Sequence, residues 1–253
     1  MRVLPSKRND DKMITCRTIN LSMTLRDFII KNQINLSDKV VYVCEEGIEM
    51  MAKSFDGLHD DKHVLRIISD LDQFLNEARE LERRQINFEV LLLSICWHDI
   101  WRAQRFPMSI ILLMFDLLWE GIKSMNMFSK RAVEVNLDES TIRQVRYSIR
   151  KHVGFQFLPR KTIESRILRD LDDLEGWSLE RLEAAKQKYL IFGKIDLRLL
   201  RATKLYFDHF MIKDLAASFY FEWSRAEFAK RKAVYIEEAN KIIKEYGHLI
   251  GLK

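Results

Sequence analysis

The stretch from Phe88 to about Arg102 constrains this chain more than any other. It runs Val90-Leu91-Leu92-Leu93-Ser94-Ile95-Cys96-Trp97 behind an N-cap at Asn87, and it is apolar nearly all round a helical projection. A surface helix carries one apolar stripe. A helix with no polar face belongs at the centre of a bundle. The fold must therefore cover it on every side, and the rest of the sequence offers helices for that purpose. Eight glycines and three prolines in 253 residues are too few for the turns of a sheet-rich protein.

The covering helices are legible from caps and periodicity. Thr24 to Lys31 reads as a short helix. Ser37 or Asp38 opens a helix through Val40, Val41, Cys44, Ile48 and Met51 that Gly57 ends. Asp60 or Asp61 opens another, with Val64, Ile67, Ile68, Leu71 and Leu75 near a 3.6-residue repeat and charged residues from Glu77 to Arg84 as its solvated end. Pro107 starts a helix to about Met125, and Asp138 to Thr141 opens one carrying Ile142, Val145, Ile149 and His152. Helices follow at about 161–173, 178–192, 194–212 and 214–246. No Pro/Gly/Ser-rich linker divides the chain. The expectation is an all-α protein: an N-terminal extension over residues 1–36 and one helical domain over 37–253.

Charge and cysteine usage narrow the function. Lysine and arginine total 42 against 37 acids, a net charge of +5. That mild excess suits a small anionic ligand such as a phosphate ester and does not by itself indicate nucleic acid, which is not expected as a partner. The basic and aromatic tail with Phe219, Phe221, Trp223, Arg225, Phe228, Lys230, Arg231 and Lys232 reads as an amphipathic packing helix, because Glu222, Glu227, Glu237 and Glu238 dilute any basic stripe. Cys16, Cys44 and Cys96 form no CxxC pair and read as reduced thiols. The greasiest run, Met108 to Trp119, is too short to span a membrane and contains Asp116. Met1 to Arg8 lacks the apolar run of a secretory signal, so a cytoplasmic protein without a membrane partner is expected.

The central helix ends in His98-Asp99. An acid there is expensive unless a proton, a hydrogen bond or a cation offsets it. Two other helices carry groups of the same kind. His63 sits early in the helix after Asp61, and Asp170, Asp172, Asp173 and Glu175 crowd the end of Ile167-Leu168-Arg169-Asp170-Leu171-Asp172-Asp173-Leu174-Glu175. Adjacent helical residues point about 100° apart, yet an imidazole and a carboxylate in sequence can still converge on one ion between them.

This order of motifs resembles the HD-domain superfamily of metal-dependent phosphohydrolases. The resemblance covers about Asp56 to Trp177, the motif core, with residues 178–253 as a helical tail. The segment His59-Asp60-Asp61-Lys62-His63 looks like the family's first motif, and its second histidine maps to His63. The His-Asp motif maps to His98 and Asp99. The family's last motif carries an Asp-Ala-Asp core, read here as Asp170-Leu171-Asp172 with Asp172 as the ligand and Asp170 and Asp173 as alternatives. The resemblance implies an HD-domain-like bundle with one divalent ion on His63, His98, Asp99 and Asp172. Such a nitrogen and oxygen set suits Mn²⁺, Fe²⁺, Co²⁺, Ni²⁺ or Zn²⁺ better than Mg²⁺. It further implies hydrolysis of a small phosphorylated substrate, such as a nucleotide, by metal-activated water.

Around that set, Arg66 shares the face of His63 and reads as a phosphate clamp beside the catalytic Asp99. Arg102, Lys151, His152 and His59 are candidates for substrate or supporting contacts. His152 has no adjacent histidine to complete a two-metal set. The chain departs from the family after His-Asp, where Ile100-Trp101-Arg102 replaces a small residue with tryptophan and leaves the proton donor unassigned. That departure keeps two alternatives open: a module that binds a nucleotide or protein partner without turnover, and an iron-dependent oxygenase.

Overall fold

The computed structural model describes residues 23–54, 58–77, 83–104, 110–152, 159–192 and 217–246. The helices in chain order are α1 (Leu25–Lys31), α2 (Asp38–Ala52), α3 (Asp61–Glu77), α4 (Phe88–Trp97), α5 (Ile100–Ala103), α6 (Ile110–Glu134), α7 (Glu139–His152), α8 (Ile163–Glu175), α9 (Leu179–Phe192) and α10 (Glu222–Tyr246). Among the described residues there is no strand. The protein is an all-α bundle. None of the helices described is long and apolar enough to cross a membrane.

The apolar helix sits where its composition requires. Every residue of α4 from Val90 to Trp97 is buried, and α2, α3, α6, α7 and α8 all pack against it. Asn87 caps it, its side chain accepting the Val90 N–H at 3.2 Å. On one side α2 comes in close at Gly47. A Cβ there would lie 2.7 Å from the Cys96 carbonyl and 2.8 Å from the Trp97 indole nitrogen. That approach lets the Trp97 N–H donate to the Val43 carbonyl at 2.9 Å. Cys44 and Cys96 are buried free thiols, while Cys16 lies outside the described residues.

Several element boundaries differ from the expected ones, and α6, expected to end at about Met125, runs on to Glu134. The helix expected from Phe88 to Arg102 breaks after Trp97, and Asp99 takes φ −109° and ψ 10° as the N-cap of the short α5. The break is what allows two consecutive residues to face one point. Helix α2 ends at Ala52, with Gly57 outside the described residues. The last helix starts at Glu222, not 214. The backbone N–H groups of Tyr220 and Phe221 just ahead of it donate instead to Asp170 of α8, at 3.0 to 3.1 Å. The expected start at Pro107 and the expected helix at 194–212 lie outside the described residues.

The first and last of the described helices are tied into the same core. Leu25 and Phe28 of α1 belong to the buried cluster, so the core draws on residues before position 37. At the other end Phe219 and Phe228 are buried, and Arg231 donates to both oxygens of Asp70 on α3 at 2.6 and 2.8 Å. Both α1 and α10 therefore brace α3, the helix that carries His63.

Candidate metal centre

Each member of the centre is delivered by an apolar helix face. His63 lies one turn before Ile67 on the buried side of α3, and its backbone N–H donates to Asp60 at 3.0 Å. His98 closes α4. Asp99 occupies an N-cap position, where a carboxylate ordinarily accepts from the first turn, but it makes no side-chain cap hydrogen bond. Its side chain turns inward instead. Asp172 comes from α8, between the buried Leu168, Leu171 and Leu174. Asp172 is 21% exposed while its three partners are at most 4% exposed, so the group opens to solvent on the α8 side.

One donor atom from each of His63, His98, Asp99 and Asp172 falls within a 4.8 Å cluster. His63 Nε2 and His98 Nε2 are 3.2 Å apart. Asp99 Oδ2 lies 3.5 and 3.4 Å from them, and Asp172 Oδ1 lies 3.5 and 3.6 Å from them. With metal bonds of about 2.0–2.2 Å, neighbouring ligands on one ion stand about 2.8–3.6 Å apart. The donor atoms already have that spacing.

The tautomers agree with it. His63 Nδ1 meets Glu175 Oε2 at 2.8 Å, and His98 Nδ1 meets the Ile95 carbonyl at 2.8 Å. A carbonyl or carboxylate at Nδ1 takes the ring proton there and leaves a lone pair at Nε2. Two such lone pairs facing each other at 3.2 Å, between two carboxylates, call for a cation or a proton in the middle. In the ion-free protein protons fill that role. Burial opposes charge on His98, but Asp99 and Asp172 outweigh it and raise the imidazole to about 10. His63 is raised as well, burial being overcome by Glu175 and Asp99. The same imidazoles hold Asp99 and Asp172 below the ordinary carboxylate range despite their burial.

The three acids at the end of α8 separate cleanly. Asp170 accepts the Tyr220 and Phe221 amides, and burial raises it to about 6 against those bonds. Asp173 pairs with Arg169, and burial raises it to about 7. Of the three, it is Asp172 that faces the histidines.

The surrounding residues include several that sequence reasoning missed. Glu175, fully buried, receives Arg66 Nε at 2.6 Å and Arg181 Nη1 at 2.7 Å while it holds His63. Burial works against this carboxylate, yet Arg181, His63 and Arg66 keep it well below its ordinary range. Glu175 stands three residues after Asp172, on the same helical face, and that spacing was the available signal. Arg181 of α9 also reaches His59 Nε2 at 2.9 Å, and nothing in the local sequence marks it. His59 is buried, with Nε2 3.8 Å from Asp99 Oδ2. Arg66 was expected to face a phosphate; its guanidinium instead pairs with Glu175, on the Nδ1 side of His63.

On the far side of Asp99 a second set gathers. His152 Nε2 lies 3.3 Å from Asp99 Oδ1, and its Nδ1 donates to the Ile149 carbonyl at 2.6 Å. Glu120 of α6 is buried beside them and accepts from Arg102 Nη1 at 3.2 Å. Burial and the Asp99 charge push Glu120 well above the usual carboxylate range. Lys151 flanks His152, and its backbone carbonyl accepts from Arg160 Nε at 2.7 Å. The Trp101 ring lies under Lys123 Nζ, 5.3 Å from its centroid.

Comparison with protein-family models, with curated proteins and with solved structures finds no match for this chain. Its buried histidines and carboxylates form a group able to hold a metal ion.

Proposed function

We propose that this protein is a divalent-metal-dependent phosphohydrolase of the HD-domain kind, acting on a small phosphate ester such as a nucleotide. The observation that carries the reading is the 3.2 Å approach of His63 Nε2 and His98 Nε2 between the Asp99 and Asp172 carboxylates. Those four residues would hold the ion, with Mn²⁺, Fe²⁺, Co²⁺, Ni²⁺ or Zn²⁺ preferred over Mg²⁺ by the mixed donors. When bound, a divalent ion lowers the pKa of a coordinated water and polarises a phosphoryl oxygen.

The chain's own residues do the rest. Glu175 and the Ile95 carbonyl keep both Nδ1 protons in place, so neither ring is free to turn. Arg66 and Arg181 neutralise Glu175 and so act on the site through it. Substrate enters from the Asp172 side, the exposed edge of the group. Lys151, next to His152 in sequence, is the candidate for positive charge toward an ester phosphate, since Arg66 pairs with Glu175 and Arg102 with Glu120.

The engagement of Arg66 by Glu175 favours one second reading, a binding module that holds a nucleotide without turnover. One experiment separates the two. Metal content and hydrolysis of a generic phosphomonoester and of nucleotides are measured for wild type, His98→Ala and Asp99→Ala in the presence of Mn²⁺, Co²⁺ or Ni²⁺. The expected result is a metal-loaded, active wild type and variants that lose both properties. A wild type that binds metal and is stabilised by a nucleotide, yet hydrolyses nothing, would establish the binding module instead.

A further inference from the structure

We infer that the outer face of α7 is a binding surface for single-stranded nucleic acid, separate from the metal centre. The observation behind it is a cluster of cations that no acid neutralises.

From Ser140 to Ile163 the chain carries Arg143, Arg146, Arg150, Lys151, Arg160 and Lys161 and no aspartate or glutamate. These six positive charges exceed the net charge of +5 of the whole chain. Overall composition conceals the cluster, because acids elsewhere balance it. Arg160 is buried and donates to the Lys151 and His152 carbonyls, so it serves the end of α7. The rest have no such employment. Arg143, Arg146, Arg150 and Lys161 are exposed, and neither they nor Lys151 make an ion pair among the described residues. By contrast, Arg26, Lys31, Arg131 and Lys241 each meet an acid. Burial, and then the charges of Arg150, Arg160 and Lys161, lower the Lys151 ammonium from its ordinary value. Like charges crowded together destabilise the folded chain, and a polyanion laid over them removes that repulsion.

The arrangement points to the kind of polyanion. Helical geometry puts Arg143, Arg146, Tyr147 and Arg150 within about 100° of arc and along about 10 Å of the axis. Guanidinium forks match phosphate oxygens in pairs. Tyr147 stands between Arg143 and Arg150, half-buried, and its hydroxyl accepts the Lys161 N–H at 2.9 Å, which fixes the ring. A fixed aromatic ring among arginines gives an unpaired base a surface to stack on, and neither a duplex nor an acidic peptide has such a base to offer. None of the exposed large apolar side chains described lies on α7, so this face has nothing to insert into a bilayer.

The test is fluorescence anisotropy of the full chain with labelled oligouridylate and oligothymidylate across a salt series. Wild type is expected to bind, with log Kd rising against log salt at a slope of about 2, as for three single-strand phosphate contacts. Arg143→Gln/Arg146→Gln/Arg150→Gln is expected to weaken binding by about tenfold or more at low salt and to flatten the slope. Tyr147→Leu is expected to weaken it by about tenfold, and Tyr147→Phe to restore most of the loss. All variants should keep the metal content of wild type. Absence of binding, or a triple arginine variant that binds as wild type does, overturns the surface and leaves the metal-centre reading intact. Displacement of the oligonucleotide by polyglutamate, charge for charge and with Tyr147→Leu neutral, overturns it in favour of an acidic protein partner. Binding to phosphatidylserine vesicles but to neither oligonucleotide overturns it in favour of a membrane surface. The exposed arginines and the salt slope decide the matter even if Tyr147→Leu fails to fold.

Discussion

At the residue scale the site is defined by what happens at the back of each ring. Three histidines give their Nδ1 proton to a fixed acceptor and turn Nε2 toward Asp99 or toward one another. The neighbouring acids Asp170 and Asp172 illustrate how two carboxylates two positions apart take opposite work. Asp172 meets the histidines, while Asp170 fastens the chain ahead of α10 by accepting two backbone amides. Removing Asp170 leaves those amides buried without partners, at a cost of about 1–3 kcal/mol. Asp170→Ala is therefore expected to lower stability to urea by that amount and keep its metal. Asp172→Ala is expected to lose the metal. Elemental analysis beside a denaturation curve reads both, and metal loss in Asp170→Ala would reassign the ligand.

At the element scale, the centre depends on how closely α2 approaches α4. Gly47 permits that approach, and the Trp97 indole bonded to Val43 locks it one residue before His98. In an exposed helix, alanine in place of glycine gains up to about 1 kcal/mol. Here the added methyl meets a backbone carbonyl at 2.7 Å, which cannot swing aside as a side-chain tip would. Overpacking of that kind costs about 1–3 kcal/mol and outweighs the gain. Gly47→Ala should therefore unfold at lower urea than wild type, and a variant as stable as wild type would show that α2 and α4 separate without penalty.

At the scale of the whole molecule, the candidate ion joins α3, the α4–α5 junction and α8, which are far apart in sequence. An ion present at 100 times its Kd adds about 2.7 kcal/mol. Chelation should therefore lower Tm by roughly 5–10 °C for a chain of this size. The drop should depend on pH, and the direction follows from His98. In the ion-free protein its pKa is raised from 6.5 to about 10 by Asp99 and Asp172, against burial. Stabilisation by the protonated ring is then complete below about pH 6.5 and fades as pH rises toward 10. Protons also compete less with the ion as pH rises. The chelator-induced drop is expected to be larger at pH 8.5 than at pH 6.5. Melting curves with and without chelator at the two values measure it, and an equal or smaller drop at pH 8.5 would show that protons and ion do not share the site.

The sequence by itself determined the helices and the centre of the bundle. An all-round apolar segment cannot face water, so Val90 to Trp97 had to be enclosed, and the caps at Asn87 and Ser37 act within one turn of their own helices. Acids and histidines on apolar faces marked His63, His98, Asp99 and the acidic run from Asp170 to Glu175 as groups that the core would bring inward, and the family resemblance picked Asp172 out of that run. Only the tertiary structure decided what those residues meet. Glu175 and Arg66 are 109 positions apart and Arg181 and His59 are 122 apart, so no local pattern could pair them. Glu120 reaches Asp99 because α6 folds back alongside α7, which itself lies on α4. Periodicity reports which face of a helix is buried; which buried groups then touch depends on how helices distant in the chain are stacked, and that is set by packing the whole core at once.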